Sequence, residues 1–411
     1  MAGQYMRLNE LLAATEAVPP AEAVTVVVED VRRRFDATMV SFLIADISGD
    51  AVVRLATVGT LPPARSAERI QLPGTVYEQV LRTQRPYAAV EGWGEPRRVI
   101  VPVTNRGDTI GLLELAAPIE ADDPALHEIG RAAHGLAYII IANRRFTDLY
   151  QWGRRTTPLT LPAEIQHHLL PSALSCEAAQ FTVSGALEPT SSIGGDTFDY
   201  AADRRILHLS VTDAMGHEVD AALLATLLVA ALRGARREGA DLVEQARRAD
   251  RAVARHGNQG MVTGQLVQID LWDGSTELVN AGHPPPLRLR GGEVEQLALD
   301  ADLPFGAPFP HSYHVQPLEI RPGDRLVMLT DGMLERCAAS AELPALVERT
   351  ANLHPREVSS VLASTVLRAC NGRPPDDATV LCLDWYGTEH RERDAQNGAD
   401  LTQASPPLPW E

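Results

Sequence analysis

Short apolar runs set off by turn signals dominate residues 20–120. Helical spacing over Ala21–Phe35 is followed by strand-like runs at Met39–Asp46, Ala51–Val58, Arg98–Val103 and Thr109–Ala116, separated by turns such as SGD at 48–50. The stretch 99–118, VIVPVTNRGDTIGLLELAAP, predicts a hairpin about Asn105–Asp108. From Asp123 to about Trp152, Leu126, Ile129, Ala133, Ala137, Ile140 and Ile141 recur at helical spacing, which predicts one helix capped near Asp122 or Asp123.

A second series begins near residue 160. Gly216–Ala235 is apolar on most faces and predicts a buried helix, and Leu242–His256 a more charged one. Strand-like segments follow at Thr263–Trp272, Ser275–Asn280, Leu287–Leu289, Val294–Leu297, His314–Ile320 and Arg325–Leu329. Helices at Ala341–Thr350 and Pro355–Ala369 precede a last strand, Ala378–Trp385. Antiparallel strands with helices gathered around them predict an α+β fold. The chain divides into a segment 1–19, a domain 20–122, a linker helix 123–159, a domain 160–386 and a polar, proline-ended tail 387–411 expected to be disordered.

Composition narrows the function. A net charge of -17 argues against a chain that grips nucleic-acid backbone, because that binding requires Lys and Arg to neutralise phosphates. An acidic protein that handles phosphate needs bound cations or a local basic patch. The four cysteines have no CxxC spacing and are expected to be reduced, mostly buried thiols. The N-terminus lacks the look of a signal peptide, and the apolar run 137–142, AYIIIA, is far short of a membrane span. A cytoplasmic protein with no membrane and no nucleic-acid partner is expected.

Four segments carry the candidate chemistry: SIGGDTFDY at 192–200, LSVTDAMGHE at 209–218, LVMLTDGMLE at 326–335 and PPDDATVLCLD at 374–384. Each sets an aspartate beside a small residue or turn at one end of a strand-like run. Carboxylates on such ends can converge, and hard cations such as Mg²⁺ or Mn²⁺ require oxygen donors of this kind. Two such ions can hold a phosphate and activate water. Each segment alone is more often an ordinary turn.

Taken in this order, with AEIQHHLLP before them and NAGHPPPLRL (280–289) and DLPFG (302–306) between them, these motifs closely resemble the SpoIIE-like and RsbU-like branch of the PPM phosphatases. The resemblance covers residues 160–386 and implies an α-β-β-α sandwich with serine/threonine phosphatase activity that depends on two divalent cations, Mn²⁺ or Mg²⁺. It implies that Asp196, Asp213, Asp331 and Asp376 are the catalytic carboxylates. Asp213 would bridge the ions, the Ala214 carbonyl would touch the second, Asp331 and Asp376 would complete the first, and Asp196 would act directly or through water. Asp377 is read as a neighbour that shapes the turn. The implied substrate is a phosphorylated regulatory protein of the anti-sigma-factor-antagonist type, hydrolysed in one step without a phosphoenzyme. Residues 20–122 resemble a GAF domain, an α/β sensory module, which implies a small ligand or partner protein there. The 123–159 helix is placed to link the domains and to pair in a homodimer.

Other residues have plainer explanations. His217 could give a proton to the leaving oxygen, yet capping or packing is the simpler role, and His283 is expected to hold its loop together. The GGD at 194–196 is shared with diguanylate cyclases, but Thr197 stands where they carry an acid. A decayed, non-catalytic signalling scaffold is the alternative from another class, and a metal-dependent nuclease is disfavoured by the charge. No arginine is assigned as phosphate clamp.

Overall fold

The computed structural model describes residues 8–47, 49–57, 68–89, 97–119, 124–154, 159–188, 194–216, 218–256, 260–334, 337, 341–372, 374–389 and 391–407. They divide into two compact units, 1–158 together with 393–411, and 159–392. The first unit runs α1 (Leu8–Glu16), a 3₁₀ turn, α2 (Ala23–Arg34), β1 (Met39–Ala45), β2 (Ala51–Thr57), β3 (Arg69–Gln71), α3 (Val76–Thr83), β4 (Tyr87–Ala88), β5 (Arg97–Asn105), β6 (Asp108–Ala117), α4 (Pro124–Asn143) and α5 (Leu149–Arg154). Its strands form one antiparallel sheet in the order β3-β2-β1-β6-β5-β4.

The sheet is covered on both faces, which is why β1 is apolar without alternation. Phe42 and Ile44 point into a core shared with α2, α4 and α5, whereas Leu43 points the other way toward Tyr77 and Val80 of α3. The predicted hairpin is β5–β6. Its two central residues, Arg106 (φ 48°) and Gly107 (φ 76°), are both left-handed, as a tight two-residue hairpin turn demands.

Three expectations are corrected here. The 123–159 linker helix is two helices, α4 and α5, and both belong to the first unit. Ile129, Ala133, Leu136, Ala137 and Ile140 are buried in its core, so the apolar stripe read as a dimerising seam is spent on the sheet. The tail expected to be disordered is packed over 391–407: Gly107 N–H donates to the Gly398 carbonyl at 2.9 Å, and Asp400 is buried. Gly398 fits only because it has no Cβ, which would collide with the Thr104 carbonyl and the His134 ring. Finally, Cys337 and Cys370 form a disulfide rather than two thiols, while Cys176 and Cys382 are not disulfide-bonded.

The second unit runs α6 (Leu161–Leu169), β7 (Ser175–Glu177), β8 (Phe181–Glu188), β9 (Asp196–Ala202), β10 (Ile206–Ala214), α7 (Glu218–Arg237), α8 (Leu242–His256), β11 (Val262–Asp270), β12 (Thr276–Ala281), β13 (Leu287–Arg290), β14 (Glu293–Gln296), β15 (Gln316–Pro317), β16 (Arg325–Leu329), a 3₁₀ turn at Asp331–Met333, α9 (Leu343–Arg349), α10 (Pro355–Ala369) and β17 (Ala378–Trp385). The predicted helices at 242–256 and 355–369 and the strand at 378–385 appear with those bounds. Of the predicted strand at 314–320 only Gln316–Pro317 pairs.

Two antiparallel sheets result, β15-β12-β11-β10-β9 and β14-β13-β16-β17-β8-β7. One core joins a face of each, with Phe198, Leu209, Val211 and Val267 from the first meeting Val183, Met328, Leu381 and Leu383 from the second. The other face of the first sheet packs on Leu224, Leu228, Ala249 and Val253 of α7 and α8. The other face of the second packs on Val347, Val358, Leu362 and Val366 of α9 and α10. Among the described residues, no helix is long and apolar enough to cross a membrane.

Candidate active site

The two sheets bring the four aspartate segments together by strand register. β9 and β10 pair so that Asp196 and Asp213 are directly opposite. β16 ends at Leu329 beside Val380, so the turn at Thr330–Asp331 meets Asp376–Asp377 at the start of β17. Two glycines make the approach possible by lacking a side chain rather than by adopting a left-handed turn. A Cβ on Gly332 would collide with the Asp377 carbonyl, and one on Gly195 with the Ala214 carbonyl. The latter oxygen is the one the motif match assigned to a metal.

The carboxylates interact strongly. Asp213 has its pKa pushed up to about 8 by burial, by the charges of Asp331 and Asp376, by a hydrogen bond with Asp331, and by Asp377. Asp196 lies well above the ordinary carboxylate range because of burial, then Asp213 and Asp377, with the Thr330 hydroxyl opposing. The charges acting most strongly on both groups are all negative. Asp331 is exposed, Asp213 and Asp376 are half-buried, and Asp196 and Asp377 are buried, which gives the cluster an open side and a closed base.

Asp377 therefore does more than shape a turn. Its Oδ2 accepts a 2.7 Å hydrogen bond from Nε2 of Gln166, which also donates to the Asp196 carbonyl at 2.8 Å. Thr330 donates to Asp196 Oδ2 at 2.7 Å and accepts from the Thr379 N–H at 3.0 Å. Gln166 and Thr330 escaped the sequence reading. The available signal was a polar residue on the buried face of α6, where Pro162, Ala163 and Gln166 turn inward.

Among the described residues, no three His, Cys, Asp or Glu side chains form a ready-made metal cage. Each of three carboxylates has a hydrogen-bond partner: Asp196 accepts from Thr330, Asp376 Oδ1 from the Asp377 N–H at 2.8 Å, and Asp377 from Gln166. In donor type the set fits a hard divalent cation. His217 lies outside the described residues.

His283 is buried, and burial pushes its pKa down to about 4, so its ring is neutral at pH 7. Its Nδ1 lies 2.9 Å from the Thr263 hydroxyl, and its backbone N–H donates to Asn280 Oδ1 at 2.9 Å. Thr263 stands opposite Asp213 in the β10–β11 ladder, so His283 braces the neighbouring strand.

Residues 203–386 match the family model described as stage II sporulation protein E (SpoIIE). The matched range includes Asp213, Asp331 and Asp376, and begins after Asp196. Stage II sporulation protein E of Bacillus subtilis (strain 168) is 27% identical over 125 residues, 29% of this chain and 15% of that protein. The chain thus matches a minor part of that relative's length.

Among solved structures, the RsbU and RsbW domains of Rv1364c from Mycobacterium tuberculosis are 26% identical, covering 53% of this chain and 63% of that one, with a TM-score of 0.44. The PP2C phosphatase domain and regulatory fragment of SpoIIE from Bacillus subtilis is 21% identical over 52% of this chain and 66% of that one, with a TM-score of 0.45. The SiaA-PP2C domain of Pseudomonas aeruginosa is 20% identical over 54% of this chain and 94% of that one, with a TM-score of 0.46.

Proposed function

We propose that the 159–392 unit is a metal-dependent protein serine/threonine phosphatase, its layers those of a PPM-type α-β-β-α sandwich. Its proposed substrate is phosphoserine or phosphothreonine on a regulatory protein of the anti-sigma-factor-antagonist type, the class the motif resemblance implies. The observation that carries the reading is the charge balance of the cluster: Asp213 feels Asp331, Asp376 and Asp377 and no comparable positive charge. A phosphate, itself anionic, is held at such a place only with cations between.

Two divalent cations, Mn²⁺ or Mg²⁺, suit the oxygen donors. The proposed ligands are Asp213, shared by both ions, the Ala214 carbonyl, Asp331 and Asp376, with Asp196 acting directly or through water. Bound cations supply Lewis acidity toward phosphoryl oxygens and make water a better nucleophile. The chain's own groups prepare the place. Burial and the charges of Asp331 and Asp376 push the Asp213 carboxyl up, and a bound cation would favour its ionised form. Thr330 and Gln166 fix the buried base of the cluster, and His283 holds the adjacent strand as a neutral ring. The first unit, with its sheet covered on both faces, is proposed as the GAF-like module that binds a small ligand or partner protein and sets the activity.

The test is Mn²⁺-dependent hydrolysis of p-nitrophenyl phosphate and of a phosphoserine protein by the full chain, beside Asp213→Asn. Equal inertness of both proteins with metal supplied would end the enzyme reading. A non-catalytic scaffold is the rival reading, and a Mn²⁺ titration separates the two. A scaffold binds no pair of ions that Asp213→Asn abolishes.

A further inference from the structure

The disulfide sits symmetrically about two of the proposed ligands. Cys337 follows Asp331 by six residues, and Cys370 precedes Asp376 by six. Cys337 lies beyond the 3₁₀ turn Asp331–Met333, and Cys370 is the C-cap of α10, which packs on β8 and β17. The bond spans 33 residues of sequence with the two Cα atoms 5.1 Å apart. It therefore ties the segment leaving Asp331 to the segment entering Asp376. At their inner ends the same segments already touch, through Gly332 against the Asp377 carbonyl.

We propose that Cys337 and Cys370 form a redox-operated clamp that sets the spacing of Asp331 and Asp376 and so the affinity of the cluster for divalent cations. The inference rests on the metal-centre reading given above. Closing the clamp joins two thiols: each sulfur gives up a proton and an electron, the S–S bond forms, and one hydrogen peroxide is reduced to two waters. A thiol reductant reverses the step.

The remaining cysteines are poor candidates for this chemistry. Cys382 is buried with its thiol pushed up to about 12 by burial, which keeps it unreactive, and Cys176 is not in a disulfide. Cys337 is half-buried, so small oxidants and reductants can reach it. In the reducing compartment that the sequence reading expects, a disulfide that forms is transient and responsive rather than permanent. Tethering acts here by limiting the conformations open to the two segments before a cation binds.

The experiment uses the full-length protein, reduced with dithiothreitol or oxidised with hydrogen peroxide, each freed of reagent and titrated with Mn²⁺ by calorimetry. Mass spectrometry of peptides reports the 337–370 bond by the loss of two hydrogens. The oxidised form is expected to bind Mn²⁺ about 5-fold or more tightly than the reduced form, the lower end of ordinary coupling between sites. Cys337→Ser and Cys370→Ala should each match the reduced protein and ignore peroxide. Equal affinities in the two states, with the bond formed, overturn the clamp while leaving the metal centre intact. Failure of peroxide to join 337 to 370 also overturns it. No Mn²⁺ binding in either state, with Asp213→Asn indistinguishable, overturns the carboxylate-centre reading and the clamp with it.

Discussion

The hydroxyl of Thr330 donates a 2.7 Å hydrogen bond to Oδ2 of Asp196, and so joins the end of β16 in one sheet to the start of β9 in the other. The Thr330 hydroxyl oxygen in turn accepts from the backbone N–H of Thr379 at 3.0 Å. Both Thr330 and Asp196 are buried, so neither bond can be replaced by water without rearrangement.

Thr330→Val keeps the shape and removes both bonds. It should lower stability by about 1–3 kcal/mol, the cost of a buried donor and a buried acceptor left unmade. Mn²⁺ affinity should fall as well, because Asp196 loses the partner that orients it. Thr330→Ser should restore most of both losses. Chemical denaturation and a Mn²⁺ titration on the three proteins check this; an unaltered Thr330→Val would remove Thr330 from the site.

Gln166 holds two acceptors at once, the Asp196 carbonyl and the Asp377 carboxylate. Gln166→Leu should cost about 1–3 kcal/mol and weaken Mn²⁺ binding. Gln166→Glu should be worse, since it sets a further carboxylate against Asp377 in a buried place. Melting temperatures and Mn²⁺ titrations give the order of the three proteins.

His283 should make the second unit acid-sensitive. Its folded pKa of about 4 lies below the ordinary 6.5 because burial disfavours the charged ring. The unfolded chain takes up the proton that the folded one refuses, so this stability is fully present above pH 6.5 and is lost as pH falls toward 4. In that window the slope should be about 1.4 kcal/mol per pH unit from this group. His283→Asn should be less stable at pH 7.5 yet show a shallower decline on acidification. Denaturation midpoints between pH 7.5 and 4 decide it, and parallel curves for the two proteins would count against the assignment.

Removal of residues 393–411 should destabilise the first unit while sparing the second. The tail supplies the Gly398 carbonyl bond to Gly107 and fills the space beside Thr104 and His134. A loss of about 1–3 kcal/mol in the first unit is expected from the exposed backbone groups alone. Calorimetric melting of full-length and truncated protein, with two transitions resolved, tests this; an unchanged lower transition argues that the tail only rests on the surface.

Much of the second unit was legible along the chain because its signals are local. Alternating and continuous apolar runs give the strands, and the proline at Pro355 and the Asn371–Gly372 pair bound α10 without reference to anything distant. The identities of Asp196, Asp213, Asp331 and Asp376 were likewise readable, since each stands in a short motif at a strand end. What those motifs did not contain is the partner of each aspartate. Gln166 and Asp377 are 211 residues apart, and Thr330 and Asp196 are 134 apart. Their bonds exist only because two sheets stack with one register.

The same limit governed the first unit and the cysteines. The apolar stripe of α4 reads alike whether it pairs with another helix or with a sheet, and only packing against β5 and α2 decided for the sheet. Residues 391–407 are polar enough to look unstructured, yet buried Asp400 is bonded within the tail by Thr402, and the Gly398 and Pro406 carbonyls accept from Gly107 and Arg82. Sequence by itself determined the elements and the donor chemistry, because those follow from side-chain type and period. Tertiary structure decided the pairings, the disulfide and the buried base of the site, because hydrogen bonding, burial and charge repulsion depend on distance in space rather than along the chain.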